Sequence, residues 1–400
     1  MVAGLVTPES IVVPDKMLEN AGIDVVVDEV TRVDAKEKIL SGTNCRTFDY
    51  DKLFLAMGSR SFIPPIEGSD LKGVMSLRGL DDACGIKAFM EDIQPKKLVF
   101  VGAGFITMEI ASLLAAAASD PLDITLVEMM DRPLPLMLDK DMAGPVKEYL
   151  EERGITILTG QMVKKILGRQ GAVTGVELDS GQTLDADMVF MNVGVRPNTQ
   201  LAEDIGLEMG RFGIKVNPFQ ETSDPHILAG GDCVEKFNFV TKKPEAGRLR
   251  GPAVMQGRLA AKRLAGYDIP FPGVLNAGGC QVFDMVVAAT GLTAEDAQSH
   301  GMETVCAVVD SRSKHGMIPG MTPWTIKLVF DRDSHRIVGG QIVSRSVAPA
   351  KEIDAVSAFI LGQKTIGDLT TFTSACNPDI SSEPSAEPIT IAAEQALQQL

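Results

Sequence analysis

The residues with the clearest chemical potential are Gly102, Gly104 and Glu128. Two glycines one residue apart, at the end of an apolar run, let the chain turn sharply and bring free backbone N–H groups to a helix start, where they can hold a pyrophosphate. A carboxylate at the end of the next apolar run, at about the ~20-residue spacing of such units, can accept hydrogen bonds from a ribose diol and would repel a 2′-phosphate. Phe105 and Ile106 follow the second glycine, and Glu109 lies one turn further on. Thr107 stands where the third small residue of a G-x-G-x-x-G pattern belongs. Such a glycine pair also occurs as an ordinary turn in an α/β core. The full order of strand, glycine turn, helix, strand and acid points to a dinucleotide, and the acid favours NAD(H) over NADP(H).

The elements that must position these groups are legible around them. Residues 98–101 form a short, glycine-bounded apolar run, the pattern of a buried parallel strand. Residues 108–118 are apolar and alanine-rich, as in a helix packed on a sheet, and residues 124–127 read as the second strand. Upstream, residues 23–30 and 38–50 read as edge strands, residues 50–60 as a buried strand ending in a glycine turn, and residues 79–93 as a helix. Downstream, the pattern predicts a helix over 140–153, a strand at 155–158, a three-stranded meander over 163–186 and a buried strand at 188–193. A strand, a polar turn at Thr222 to Pro225, and the run Ile227-Leu228-Ala229-Gly230-Gly231-Asp232 follow, then a helix over 251–264. From about residue 272 the pattern changes to strands at 281–290, 305–310, 325–331 and 337–343, with helices at 293–300, 350–361 and 389–399. That is an α+β domain without glycine-rich nucleotide turns.

Composition narrows the function classes. A net charge of −15 over 400 residues argues against nucleic acid, which needs basic grooves. No run of 18 apolar residues occurs, so no membrane span is expected. The first residues carry neither a basic region nor a long apolar core, so no signal peptide is expected and the location predicted is cytoplasmic. Cys45, Cys84, Cys233, Cys280, Cys306 and Cys376 are scattered without a C-x-x-C, and the four histidines are dispersed, so neither a metal site nor a local redox pair is encoded.

The order Gly102-Ala103-Gly104 with Glu109, then Gly194-Val195-Arg196-Pro197-Asn198, then Gly230-Gly231-Asp232, then a C-terminal α+β domain resembles the flavin-dependent pyridine nucleotide–disulfide oxidoreductases. Within them it looks most like NADH oxidases, coenzyme A-disulfide reductases and persulfide reductases. The resemblance spans essentially the whole chain. It implies an α/β fold with two Rossmann-type modules, for FAD and for NAD(P), and a C-terminal α+β dimerisation domain. The implied boundaries are 1–78 and 196–270 for the FAD-binding parts, 79–195 for the NAD(H) domain and 271–400 for a homodimer interface that would bury an antiparallel sheet face.

Carried over residue by residue, Leu55-Ala56-Met57-Gly58 matches the turn ending the first FAD segment. Gly231 and Asp232 match the second FAD motif, where the aspartate meets the ribityl chain; read alone, Asp232 would be a helix N-cap. Gly102, Gly104, Phe105, Ile106, Glu109 and Glu128 match the NADH site, with Glu109 near the nicotinamide; read alone, Glu109 would be a surface charge. Gly194 and Arg196 match the turn that closes the nicotinamide domain. Family members also begin with an FAD-binding βαβ unit followed by a redox cysteine in an Asn-Cys-Gly-like segment, roughly 70 residues together. The first residues here resemble the stretch after that cysteine, and weak FAD affinity is expected of these 400 residues alone. Asn44-Cys45 lies in a strand-like stretch and is not read as the redox cysteine. Cys376 is the other candidate thiol, in a C-terminal segment that in the family reaches the partner subunit's active site; an uninvolved exposed or buried cysteine is the plainer alternative. Coenzyme A-disulfide reductases carry a tyrosine in that region. Here Phe372 stands nearby and no tyrosine follows Tyr267, which speaks against coenzyme A disulfide as substrate.

The resemblance implies hydride passing from NADH to FAD and on to a disulfide, a persulfide or oxygen. The alternatives are a same-fold reductase serving a small redox protein, and a non-catalytic nucleotide-binding protein that has lost FAD.

Overall fold

The structure is a computed structural model that describes residues 1–44 and 46–400; Cys45, and the reading made of it, lie outside the described residues. The chain forms two compact units. One comprises Leu5–Arg60 and Val195–Val274, with Met1; the other comprises Ser61–Gly194 and Leu275–Leu400, with Val2–Gly4.

The second unit contains a five-stranded parallel sheet in the order Val74–Met75, Met188–Met191, Lys97–Val101, Asp123–Glu128, Ile155–Thr159. Its central strands are apolar on both faces because both are covered. Leu98, Phe100, Ile124, Leu126, Met188 and Phe190 point to a layer that includes residues of the helices Leu80–Ile93, Phe105–Ala117 and Lys140–Glu151. Val99, Val127, Val189 and Met191 point the other way, onto the antiparallel meander of Val163–Arg169, Ala172–Leu178 and Thr183–Asp185. The Phe100 and Phe190 rings of neighbouring strands stack 4.3 Å apart.

The same unit holds a five-stranded antiparallel sheet ordered Gly278–Val282, Met285–Gly291, Ile337–Ser344, Pro323–Asp331, Thr304–Arg312. Four strands were expected, with 281–290 as one. The chain instead reverses at Phe283 and Asp284, with Phe283 at φ +53°. The turn lacks the usual mark, because phenylalanine and aspartate stand where asparagine and glycine normally signal a two-residue turn. Every residue of Ile337–Ser344 is buried. Both faces of that central strand are therefore covered within one chain, whereas the edge strand Thr304–Arg312 alternates, with Val308, Asp310 and Arg312 exposed.

In the first unit, Leu53–Leu55 and Ile227–Ala229 pair in parallel. A separate antiparallel sheet joins Val30–Asp34, Ile39–Gly42 and Thr47–Asp49. The strand expected over 23–30 begins only at Val30, and Val27 ahead of it is 85 % exposed. The stretch 38–50 is two strands rather than one, because the chain turns after Gly42. No strand forms before the Thr222 turn; the chain there makes single bridges at Ile214, and Pro218 cannot donate to a ladder. Among the described residues no helix is long and apolar enough to cross a membrane.

Candidate functional site

In the second unit, Lys97–Val101 ends at Gly102, whose φ is +89°. A Cβ there would lie 3.3 Å from the Asn192 carbonyl oxygen at the end of the neighbouring strand. Glycine is thus required both by its left-handed backbone and by the close approach of that chain. The Gly102 N–H donates to Val127 O at 2.8 Å, which locks the turn to the next strand. Gly104 sits at the N-cap of Phe105–Ala117 with no side-chain cap, so the first-turn N–H groups have no side chain of that position to satisfy them. Phe105 is exposed and Ile106 half-buried. Thr107 is buried in the third motif position, and its hydroxyl has no hydrogen-bond partner among the described residues.

Glu128 is where the sequence placed it, at the end of Asp123–Glu128, but it is only 6 % exposed. Its Oε2 accepts from the Ala103 N–H at 2.8 Å and its Oε1 from the Met130 N–H at 2.9 Å. The carboxylate therefore braces the glycine turn as well as capping its strand. Each oxygen keeps a further lone pair, so acceptance from a ribose hydroxyl is compatible with both contacts.

Glu109, on the same helix, is half-buried beside the antiparallel sheet. Burial holds its carboxyl above the ordinary range, partly offset by the Gln281 N–H at 3.4 Å. The neighbouring Cys280 thiol is pushed up to about 12, by burial first and by Glu109 second, so it is no nucleophile. Gly194, in this unit, is exposed at φ +113° with open space where a Cβ would point. Among the described cysteines only Cys376 is exposed; its Sγ lies 3.4 Å from Ser374 O. Burial raises the Cys233 and Cys306 thiols.

In the first unit, the parallel strands Leu53–Leu55 and Ile227–Ala229 run into Gly58 at φ +63° and Gly231 at φ +84°. A Cβ at Gly58 would meet nothing, and one at Gly231 only Ala253 Cβ at 3.7 Å. These are open turns at the carboxyl ends of parallel strands, where open α/β sheets bind ligands. Ser59 Oγ donates to Asp232 Oδ2 at 2.8 Å, and Gln256 accepts from the Gly231 N–H at 2.9 Å. Arg248, electrostatically coupled to Asp232, donates to Val195 O at 3.2 Å and Phe212 O at 2.9 Å. Its buried Nε has no hydrogen-bond partner among the described residues. Burial lowers its affinity for its proton, with Asp232 opposing and exposed Arg196 adding to the fall. An open pair of glycine turns, a carboxylate and an unsatisfied buried donor suit a polyhydroxylated, anionic cofactor such as FAD.

Sequence reasoning missed two residues here. Lys236 and Arg248 were not singled out, yet Lys236 is only 1 % exposed. Nothing in their local pattern marks them.

The chain belongs to the pyridine nucleotide-disulphide oxidoreductase family. Residues 6–257 match the family model of that description, and residues 278–386 match the model of the family's dimerisation domain. The chain is 36% identical over 392 residues to an NADH oxidase of Methanocaldococcus jannaschii, covering 97% of this chain and 86% of that protein. It is 28% identical over 373 residues to an NAD(P)H coenzyme A polysulfide/persulfide reductase of Pyrococcus horikoshii, covering 92% and 82%. The fold superposes on an NAD-dependent persulfide reductase from A. fulgidus with a TM-score of 0.93 at 31% identity, covering 100% of this chain and 74% of that one.

Proposed function

We propose that the protein is a flavoprotein oxidoreductase that oxidises NADH and delivers the electrons to a disulfide, a persulfide or oxygen. The observation that carries the reading is the pair of left-handed glycine turns, Gly58 and Gly231, ending two parallel strands beside Asp232, in a chain that also holds a complete strand–glycine–helix–strand–acid unit. FAD, when bound, accepts hydride from the nicotinamide and releases electrons to the acceptor; the protein binds, orients and excludes water.

In this reading the N–H groups following Gly102 and Gly104, at Phe105 and Ile106, hold the NADH pyrophosphate. Glu128 accepts from the ribose, Glu109 lies by the nicotinamide, and Gly194 and Arg196 shape the turn that closes its domain. Gly58, Gly231 and Asp232 hold FAD. Cys376 is the thiol available on the acceptor side. Residues 1–78 and 196–270 serve FAD, 79–195 serve NAD(H), and 271–400 join two subunits. The working compartment is the cytoplasm. The relatives named above, an NADH oxidase and a persulfide reductase, support this choice of acceptors.

The test is an anaerobic visible spectrum of the full-length gene product, titrated with NADH. A flavin spectrum bleached by stoichiometric NADH and restored by a persulfide or by air is expected. A colourless protein that takes up no added FAD would sink the reading.

A further inference from the structure

Lys236 is the most deeply buried cation of the first unit, and the chain makes room for it. Its stem passes Gly247, at φ +48°, where a Cβ would lie 3.0 Å from Lys236 Cδ. Its Nζ donates to Gly231 O at 2.7 Å and Ala246 O at 3.3 Å, and lies 3.5 Å from Val234 O. Three carbonyls converge on the three N–H donors that only an ammonium has. Two of them bracket the single helical turn Gly231–Cys233 that carries Asp232.

We propose that Lys236 is a positioning residue for the flavin, its ammonium fixing the turn that presents Asp232 to the ribityl hydroxyls. This rests on the flavoprotein reading above. A neutral amine has one donor fewer and turns a lone pair toward a carbonyl, so the turn loosens when the proton leaves. Burial brings the Lys236 ammonium down to about 8, against the pull of Asp232 and Glu245 and with the push of Arg248; the Cys233 thiol also faces it. The proton therefore leaves within an accessible range. Flavin binding, which needs the charged form, must in turn hold the proton on by the reciprocity of linked equilibria.

The experiment measures FAD dissociation from the full-length gene product between about pH 7 and about pH 9.5, for the wild type and Lys236→Met, with a thermal melt of each apoprotein. In the wild type the Kd is expected to rise about tenfold across that range, as loss of one charge-assisted contact implies. In Lys236→Met the Kd should be raised already at neutral pH and flat. A wild-type Kd independent of pH, or a folded Lys236→Met with wild-type affinity and pH response, overturns the role of Lys236 and leaves the flavoprotein reading intact. A wild type that binds no FAD at any pH overturns that reading, and this inference with it. If Lys236→Met melts too low to assay, the Lys236 Nζ resonance in the wild type decides: it must titrate at higher pH with FAD than without.

Discussion

Glu128 holds two backbone N–H groups, and that double contact sets what its removal does. Glu128→Ala leaves the buried Ala103 N–H without its acceptor, at a cost of about 1–3 kcal/mol. The variant should melt below the wild type, bind NADH more weakly and show a narrower preference for NADH over NADPH in kcat/KM. An unchanged cofactor ratio would show that Glu128 does not set it. Gly102→Ala forces an L side chain to φ +89° and brings its Cβ within 3.3 Å of Asn192 O. A loss of about 1–2 kcal/mol in folding stability is expected from the backbone alone. Titration with NADH should show a larger loss, because the turn proposed to hold the pyrophosphate itself moves. The protonation of Lys236 makes opposite demands on folding and binding. Its folded value lies near 8, below the ordinary amine, so between those values the unfolded chain binds more protons and apoprotein stability rises with pH. The wild-type minus Lys236→Met difference in apoprotein stability should climb by up to about 1.4 kcal/mol per pH unit there, while flavin affinity falls.

At the scale of elements, the helix Lys140–Glu151 is tied to the antiparallel sheet by a buried ionic cluster. Asp139, at the helix N-cap, accepts from Gln341 Nε2 at 2.7 Å, Lys327 Nζ at 3.0 Å and the Ala294 N–H at 3.1 Å. Lys327 also meets both oxygens of Asp141 at 2.8 Å. Burial pushes the Asp139 carboxyl up, but Gln341, Lys327 and the Ala294 N–H outweigh it and hold it below the usual range. Burial likewise opposes the Lys327 charge, but Asp141 and Asp139 raise it above the ordinary amine. The Asp139 contribution is present above the unfolded carboxyl value and is lost as pH falls through the folded one. The Lys327 contribution is lost as pH rises through its folded value. Lys327→Met strands a buried carboxylate and should cost about 3–5 kcal/mol in urea denaturation, with part recovered in Lys327→Met/Asp139→Asn.

None of that cluster was legible in the sequence, since Asp141 lies 186 residues from Lys327, Asp139 lies further still, and only the fold brings them together. The strand–glycine–helix–strand order was legible, because residues 98–128 fix it through local period and glycine placement. The hairpin at Phe283 and Asp284 was not, because neither turn residue is the glycine or asparagine that marks a two-residue turn.

At the scale of the molecule, the dimerisation domain at residues 278–386 predicts a homodimer. Light scattering on the full-length gene product should return twice the mass of one chain. Of the large apolar side chains described in this domain, Met317 at 82 % and Ile380 at 65 % are the most exposed, and the predicted contact uses them. Charged replacements at these two positions should lower the mass toward one chain; a dimer that survives them would place the interface elsewhere.

The brace at Glu128 also constrains how such an enzyme can change over generations. In the NADH site proposed above, a carboxylate that only read the ribose could be exchanged in one step for a residue that accepts a 2′-phosphate. Here the same exchange also unfastens Ala103 and Met130, so the first step toward NADPH passes through a less stable protein. A lineage, or a selection experiment, that switches cofactor should therefore acquire a substitute acceptor for the Ala103 N–H before or together with the loss of Glu128. Variants recovered in the reverse order should be rare and temperature-sensitive.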